Sequence, residues 1–425
     1  MIVPSVIALG VLATAVSAAS VPTFTAPAAA PTDQSSFYVG AANNTLTNTP
    51  IVTGKVFDRF IQIWLENTDF AQAASQAVFT NLSTQGITLT GYFGVTHPSQ
   101  PNYLAATGGD FWGLASDDLE SVPTNMSTIV DLLDQKNISW ATYQENMPSD
   151  AYVGYNYTNS DDYTYYVRKH NPLVIYQSVG SVQSRQGRIR NFNDFAVDIG
   201  NNTLPQWMFI TPNLRNDGHD TDVAYAASWL NYWLVPLLND PNFNTDRTLI
   251  FLTFDENETY TIANQVYSIL LGGAVPEALK NTTDSTFYTH YSALTTVENN
   301  WDLGNLGRQD TNKTVSNVFN FVASNTSYQN NNLTLSSTLP ELNLTGTIPG
   351  PLNPDYYVPY VAPTNGTGGG SGPTFFAPNV NTSLTAANAP APVNITTTGA
   401  AADLTSKANS IVAAVAVAVF AAMLL

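Results

Sequence analysis

Two stretches far apart in the chain each read as a buried strand that ends in paired oxygen ligands. They are FIQIWLEN (Phe60–Asn67) and TLIFLTFDEN (Thr248–Asn257). The run Leu249–Phe254 is apolar on both faces, which suits an inner strand of a parallel sheet. A third strand is predicted over QWMFITPN (Gln206–Asn213). The NDGHDTD loop (Asn216–Asp222) comes after it, then an amphipathic helix over Val223–Leu238 with Asp222 as its cap. TIVDLLDQKN (Thr128–Asn137) predicts a helix and ISWATYQEN (Ile138–Asn146) a strand. From Val52 to about Leu344 such units alternate, the pattern of a wound α/β sheet. The Tyr-rich stretch Tyr152–Tyr166 has no period and predicts an insertion over the pocket.

Ligands of open parallel sheets bind outside the carboxyl ends of the strands. Glu66 and Asn67 are therefore expected to meet Asp255 and Glu256 at one edge. Three carboxylates and an amide at one spot repel each other unless a cation lies between them, and a hard divalent ion fits that donor set. The plainer reading, that each pair caps a strand, suffices for either pair alone. Glu145-Asn146 repeats the pattern without a metal role being assigned to it.

THPSQPNYLAATGG (Thr96–Gly109) supplies candidate chemistry. Pro101 suits the first turn of a helix that Gly108-Gly109 ends, so Ser99 is expected at the helix N-terminus, where free N–H groups attract phosphate. A serine there is an ordinary cap or, beside a metal, a nucleophile for phosphorus. The chain has only four histidines: His97 beside Ser99, His170 in VRKHNP, His219 in NDGHDTD and His290 in THYS. His219 has the strongest context, because its loop repeats the strand–loop–helix plan. A lone histidine is otherwise a satisfied structural residue.

The E-N pair, HPSQPNY, KHNP, NDGHD, FDEN and the final HYS, in this order over roughly Val52–Phe321, resemble the phosphoesterase family. That family belongs to the alkaline phosphatase superfamily and contains fungal secreted acid phosphatases and bacterial phospholipases C. The resemblance implies an α/β/α sandwich with a mostly parallel sheet and Ser99 as nucleophile. It implies one divalent metal ion, of open identity, held by Glu66, Asn67, Ser99, Asp255 and Glu256. Glu256 stands where two-zinc relatives carry histidine, which favours a single metal. Asn102 or His219 and the N–H groups after Ser99 would meet charge on the phosphoryl oxygens. His290 or His97 would serve the leaving group, protonated near pH 5. His170 and Asp220 are further candidates for substrate binding, and Asp220 and Asp217 for orienting His219.

Composition changes the picture mainly at the ends. With 425 residues, no cysteine and a net charge of −18, the chain is poorly suited to nucleic acid, whose phosphates need Lys and Arg. Residues 1–18 have the plan of a cleaved signal peptide, and 19–50 of a low-complexity leader. The catalytic domain is expected over 51–345. Residues 346–399, with TNGTGGGSGP (Thr364–Pro373), read as a disordered, glycosylated stalk. Residues 400–425 read as a glycosylphosphatidylinositol-attachment propeptide, with Gly399 the favoured attachment residue and Asn394 the second choice. Asn-x-Ser/Thr sequons are frequent, and Asn257 is the doubtful one because it adjoins Glu256.

These features predict an extracellular enzyme anchored to the plasma membrane, or transferred to cell-wall glucan, that acts on small phosphomonoesters. A phosphodiesterase or phospholipase C would use the same motifs. A non-catalytic wall glycoprotein would explain the stalk, sequons and anchor but not the recurrence of carboxylates and histidines at strand ends.

Overall fold

The strand Arg59–Leu65 (β1) is buried at every position after Arg59, because its side chains meet packed layers on both sides. It pairs in parallel with Trp207–Thr211 (β5) on one side and Thr248–Phe254 (β6) on the other. In chain order the remaining sheet strands are Ile87–Leu89 (β2), Trp140–Gln144 (β3), Ile189–Asn191 (β4), Ser268–Leu271 (β7) and Thr282–Asp284 (β8). Their order across the eight-stranded sheet is β8-β2-β7-β6-β1-β5-β3-β4. The run from β6 to β4 is parallel throughout, and β7 is antiparallel to both of its neighbours. We describe residues 21–331 and 343–396 of this computed structural model.

Alternation along β1 assigns the two faces. Trp64 packs on Tyr103 and His290, and Phe60 stacks on Phe57, which meets Trp301. The helices Ser99–Gly108 and His290–Trp301 therefore cover that face, and they touch each other. Leu65 is in register with Phe254, whose ring meets Phe79 of the helix Ala77–Ser83. The opposite face thus carries Ala77–Ser83 and its neighbour Val223–Leu237. This is the expected α/β/α sandwich. Each large side chain shut between layers contributes about 1.5–3 kcal/mol. Asp222 caps the Val223–Leu237 helix as expected, its carboxylate accepting from the Tyr225 N–H (2.8 Å). The tyrosine-rich insertion forms a small hairpin, Asn156–Thr158 against Thr164–Val167.

Two segments expected to be free lie on the domain. In the leader, the N–H groups of Ser35, Asn43 and Leu46 donate to the side chains of Asn193, Asp194 and Asp198 (2.7, 2.6 and 3.0 Å), and Tyr38 is buried. The helix Phe192–Gly200 presents polar side chains that the extended leader satisfies in place of water. In the stalk, the Gly369 N–H donates to Glu298 Oε2 (3.0 Å) and the Gly372 N–H to the Leu303 carbonyl (3.0 Å). The composition does forbid a core of its own, yet glycine lets this backbone lie flat on the helix His290–Trp301. A Cβ on Gly369 would collide with the Thr295 carbonyl oxygen. The signal peptide, Gly399 and the propeptide lie outside the described residues.

Replacing Gly369 with alanine is expected to lift this strap from the helix. Limited proteolysis should then cut the segment around Thr364–Pro373 much faster, while the melting temperature of the domain falls by only a few degrees. Unchanged cleavage would show that the strap does not depend on this contact.

Candidate active site

The register Leu65↔Phe254 places the residues after each strand side by side, and the Asp255 N–H continues the ladder to the Leu65 carbonyl (3.0 Å). Glu66 and Asp255 are both fully buried. Asn67 takes a positive φ of 32°, which turns its amide back toward them. One atom of that amide lies 2.9 Å from Glu66 Oε2 and 3.2 Å from Asp255 Oδ1. With the amide oxygen there, it faces Glu66 Oε2 and Asp255 Oδ1 with no donor between them, although those two oxygens accept elsewhere from the Ser99 hydroxyl and the Asn67 N–H. Turning the amide over would repair this with two hydrogen bonds, and a cation would repair it as placed.

Ser99 opens its helix as the first helical residue, and Pro98 is the N-cap. Its hydroxyl therefore caps nothing and donates to Glu66 Oε2 (3.1 Å). One turn on, the Tyr103 hydroxyl donates to Glu66 Oε1, as i,i+4 spacing on one helix face allows. The structure thus brings Glu66, Asn67, Ser99 and Asp255 together. Glu256 is also buried, but its Oε2 turns to the Asn102 amide (3.1 Å) and His97 Nδ1 (3.1 Å).

Several residues sit differently from expectation. Asn102 is spent on the protein: its oxygen accepts from the Val95 and Thr96 N–H groups, and its nitrogen donates to the Thr96 carbonyl and to Glu256. It positions Glu256 and the loop before Ser99 rather than substrate. His170 does not face substrate either. It is buried beneath Tyr103, with Nε2 3.4 Å from Glu66 Oε2 and Nδ1 3.4 Å from Asp217 Oδ2. Glu66, His170 and Asp217 offer ligand atoms within 4.8 Å of one another, a group that could hold a metal ion.

His290 is fully buried; its Nε2–H donates to the Asp255 carbonyl (2.5 Å) and its Nδ1 accepts from the Tyr92 hydroxyl (3.2 Å). Burial lowers its pKa to about 3. His97 is buried under the Tyr260 ring, and burial lowers it to about 4. Both are neutral near pH 5, so neither is a proton donor there; His290 instead holds the backbone of Asp255. His219 alone of the four stands partly open, its side chain 27% exposed. Its Nδ1 lies 2.7 Å from Asp220 Oδ1, and Asp220 is in turn held by the Tyr163 hydroxyl (2.6 Å) of the hairpin. The His219 N–H donates to Asp217 Oδ1 (2.9 Å). Asp220 therefore orients His219.

Sequence reasoning missed Lys169, Asp117 and Tyr103. Lys169 stood in view beside His170, and Tyr103 stood four residues from Ser99; Asp117 had no local signal. Glu145 is structural: it accepts from the Asn213 N–H and the Asn216 amide. Asn257 is buried, and its amide nitrogen donates to Asp69 and to the Thr259 carbonyl, which leaves no room for a glycan.

The electrostatics fit a cation. Burial raises Glu66, and repulsion from Asp255 and Asp217 adds to it. Burial also raises Asp217 and Glu256, and pushes Asp255 up to about 6. Asp255 Oδ2, Glu256 Oε1 and Asp217 Oδ2 are buried without hydrogen-bond partners. Orphaned carboxylate oxygens at that depth are costly, and oxygen-rich sites of this kind suit hard cations.

The phosphoesterase family matches residues 53–304. The acid phosphatase of Aspergillus fumigatus is 48% identical over 310 residues, covering 73% of this chain and 68% of that protein. A probable acid phosphatase of Kluyveromyces lactis is 52% identical over 280 residues, covering 66% of each. This chain thus spans about two thirds of the length of either fungal relative. A phosphatidylinositol-3-phosphatase of Mycobacterium tuberculosis is 29% identical over 236 residues, covering 55% of this chain and 72% of that one. Among solved structures, the phosphonate monoester hydrolase of Agrobacterium radiobacter is 9% identical with a TM-score of 0.43, covering 65% of this chain and 78% of that one. A serine at a helix N-terminus beside buried, cation-seeking carboxylates on a parallel sheet is an arrangement for handling oxyanions. The chain belongs to the phosphoesterase family.

A carboxylate whose native pKa exceeds its unfolded value of about 4 binds more protons when folded. The associated stability is present below that value and is lost as pH rises through the native one. In chelator, the melting temperature is expected to fall from about pH 4 through the Asp255 value of about 6, with Glu66, Asp217 and Glu256 extending the fall upward. Millimolar Mg, Ca or Mn should flatten the profile, because binding to the native state alone stabilises it. A chelator profile that is already flat would count against a cation site.

Proposed function

We propose that this protein is a metal-dependent acid phosphatase that hydrolyses phosphomonoesters through Ser99. The observation that carries the reading is the buried Ser99 hydroxyl, which gives its hydrogen bond to Glu66 rather than to its own helix. The names of the fungal relatives support the activity. A divalent cation held by Glu66, Asn67, Ser99, Asp255 and Glu256 would make the Ser99 hydroxyl easier to deprotonate and offset charge on the phosphoryl oxygens.

Ser99 Oγ attacks phosphorus, and its proton passes to Glu66 Oε2, the oxygen it already faces. The P–O bond to the leaving group breaks, and the departing oxygen takes a proton to become the alcohol. His219 is the histidine on the open side of the site, held by Asp220, and it supplies that proton. The same imidazole then accepts a proton from the water that attacks the phosphoserine, the Ser99 Oγ–P bond breaks, and Glu66 returns its proton to Oγ as phosphate is released. His170 lies behind Glu66, its Nε2 3.4 Å from Glu66 Oε2, with Asp217 on its far side, its Oδ2 3.4 Å from His170 Nδ1.

Ser99→Ala should reduce kcat by at least about a thousandfold while the protein folds and still binds phosphate. Acid quench of the parent with labelled substrate should trap phosphate on Ser99. Near-normal turnover by the variant would move the attack to water.

We further propose that the mature protein is extracellular and carries a glycosylphosphatidylinositol anchor at Gly399 in place of residues 400–425. What supports this is the succession of small, polar and apolar residues in Gly399–Leu425. Among the described residues no helix is long and apolar enough to cross a membrane. Phosphatidylinositol-specific phospholipase C is expected to release the protein from membranes, and β-glucanase to release any copies transferred to the wall. Mature protein retaining Leu425 would refute the anchor.

A further inference from the structure

Proton transfer through Glu66 and His219 leaves one ion pair at the mouth of the site unused. Gln100 is the second residue of the Ser99–Gly108 helix, so its N–H is one of the groups left free at a helix N-terminus. It donates to Asp117 Oδ1 (3.0 Å), while Lys169 Nζ donates to Asp117 Oδ2 (2.9 Å). Lys169 Nζ also lies 3.1 Å from His219 Nε2. One carboxylate thus occupies, next to Ser99, a helix N–H and an ammonium at once. Those two donors have the chemistry that a phosphoryl group seeks.

The surrounding charge makes this cation unusual. Glu66, Asp217 and Glu256 all feel Lys169 as the positive charge near them. Among the described residues no lysine or arginine forms an ion pair with any of these three carboxylates, Lys169 itself being paired with Asp117. Asp117 is the more exposed partner, its side chain 25% accessible against 13% for Lys169, and the next two residues, Asp118 and Leu119, are exposed. The carboxylate can turn out to water while the ammonium stays.

Resting on the phosphomonoesterase reading, we propose that Asp117 is a placeholder for the phosphoryl group and that Lys169, once released from it, is a specificity-determining residue. Lys169 pairs with the second negative charge of a monoester. A diester carries no such charge, so Lys169 adds little to its binding. Asp117 competes with substrate for both donors and so sets the affinity for phosphate.

The test compares p-nitrophenyl phosphate with bis-p-nitrophenyl phosphate at pH 7, above the second phosphate pKa of about 6. Lys169→Met should lower kcat/KM for the monoester roughly ten- to a hundredfold, the loss of one charged hydrogen bond. The diester should lose about tenfold less than the monoester, because it loses only the contact of Lys169 with His219 Nε2. Lys169→Arg should recover part of the monoester rate, which separates loss of charge from loss of fold. Asp117→Asn should bind inorganic phosphate more tightly than the parent by calorimetry and be more strongly inhibited by it. Equal loss on both substrates, or unchanged phosphate affinity in Asp117→Asn, overturns the proposal and leaves the phosphatase reading standing. A parent that hydrolyses neither ester overturns that reading, while the calorimetric comparison still decides the role of Asp117.

Discussion

The site depends on one lateral register, Leu65 beside Phe254 in adjacent parallel strands. Neighbouring strands lie about 4.8 Å apart, so the next residues along each chain segment, Glu66 and Asp255, are forced together in a buried place. Because β1 and β6 are covered on both faces, a slip of one residue would send every side chain to the opposite layer. The carboxylates cannot drift apart to relieve their repulsion. That fixed, unfavourable pair makes a cation worth binding and gives Ser99 an acceptor for its hydroxyl. The cost is borne by the packing of Phe60, Trp64, Phe251 and Phe254 around it.

A second layer holds the first. Trp64 lies one residue from the end of β1 and packs on His290, and His290 reaches the Asp255 carbonyl. Tyr103 touches Trp64, Glu66 and His170. The aromatic core and the polar site are therefore continuous, so a change in core packing near Trp64 would be felt at Asp255. Three of the four histidines belong to this buried scaffold, and His219 is the one that is partly exposed.

The strand ends, the helix starting at Ser99 and the sandwich were legible because each arises from local pattern plus one rule about sheet edges. Phe60–Asn67 and Thr248–Asn257 announced both the strands and the acid and amide pairs at their ends. The roles of Asn102, His97, His170 and His290 were not legible, since they depend on the surroundings of each side chain in three dimensions. An imidazole near a serine in sequence looks available until Tyr260 is seen lying over it. The segment around TNGTGGGSGP misled for a different reason. Glycine there reports a close approach to the helix His290–Trp301, and composition does not distinguish that from flexibility. Asp117 comes from a loop with no period, and only tertiary structure brings it to Gln100.

The net charge of −18 bears on the pH at which such a site works. A phosphomonoester approaching from solution meets a repulsive field, although salt confines that field to about 8–10 Å. Inside that distance the attraction must come from the helix N-terminus, Lys169 and any bound cation. Acid conditions help on two counts. The ester loses its second charge below about pH 6, and the surface carboxylates begin to protonate. The buried acids respond differently, because burial has already raised them and a bound cation would hold them ionised. An acidic optimum therefore needs no protonated His97 or His290. Where a bound cation holds the buried acids ionised, lowering the pH weakens the long-range repulsion before it disarms the groups that bind; without one, the raised buried acids protonate first.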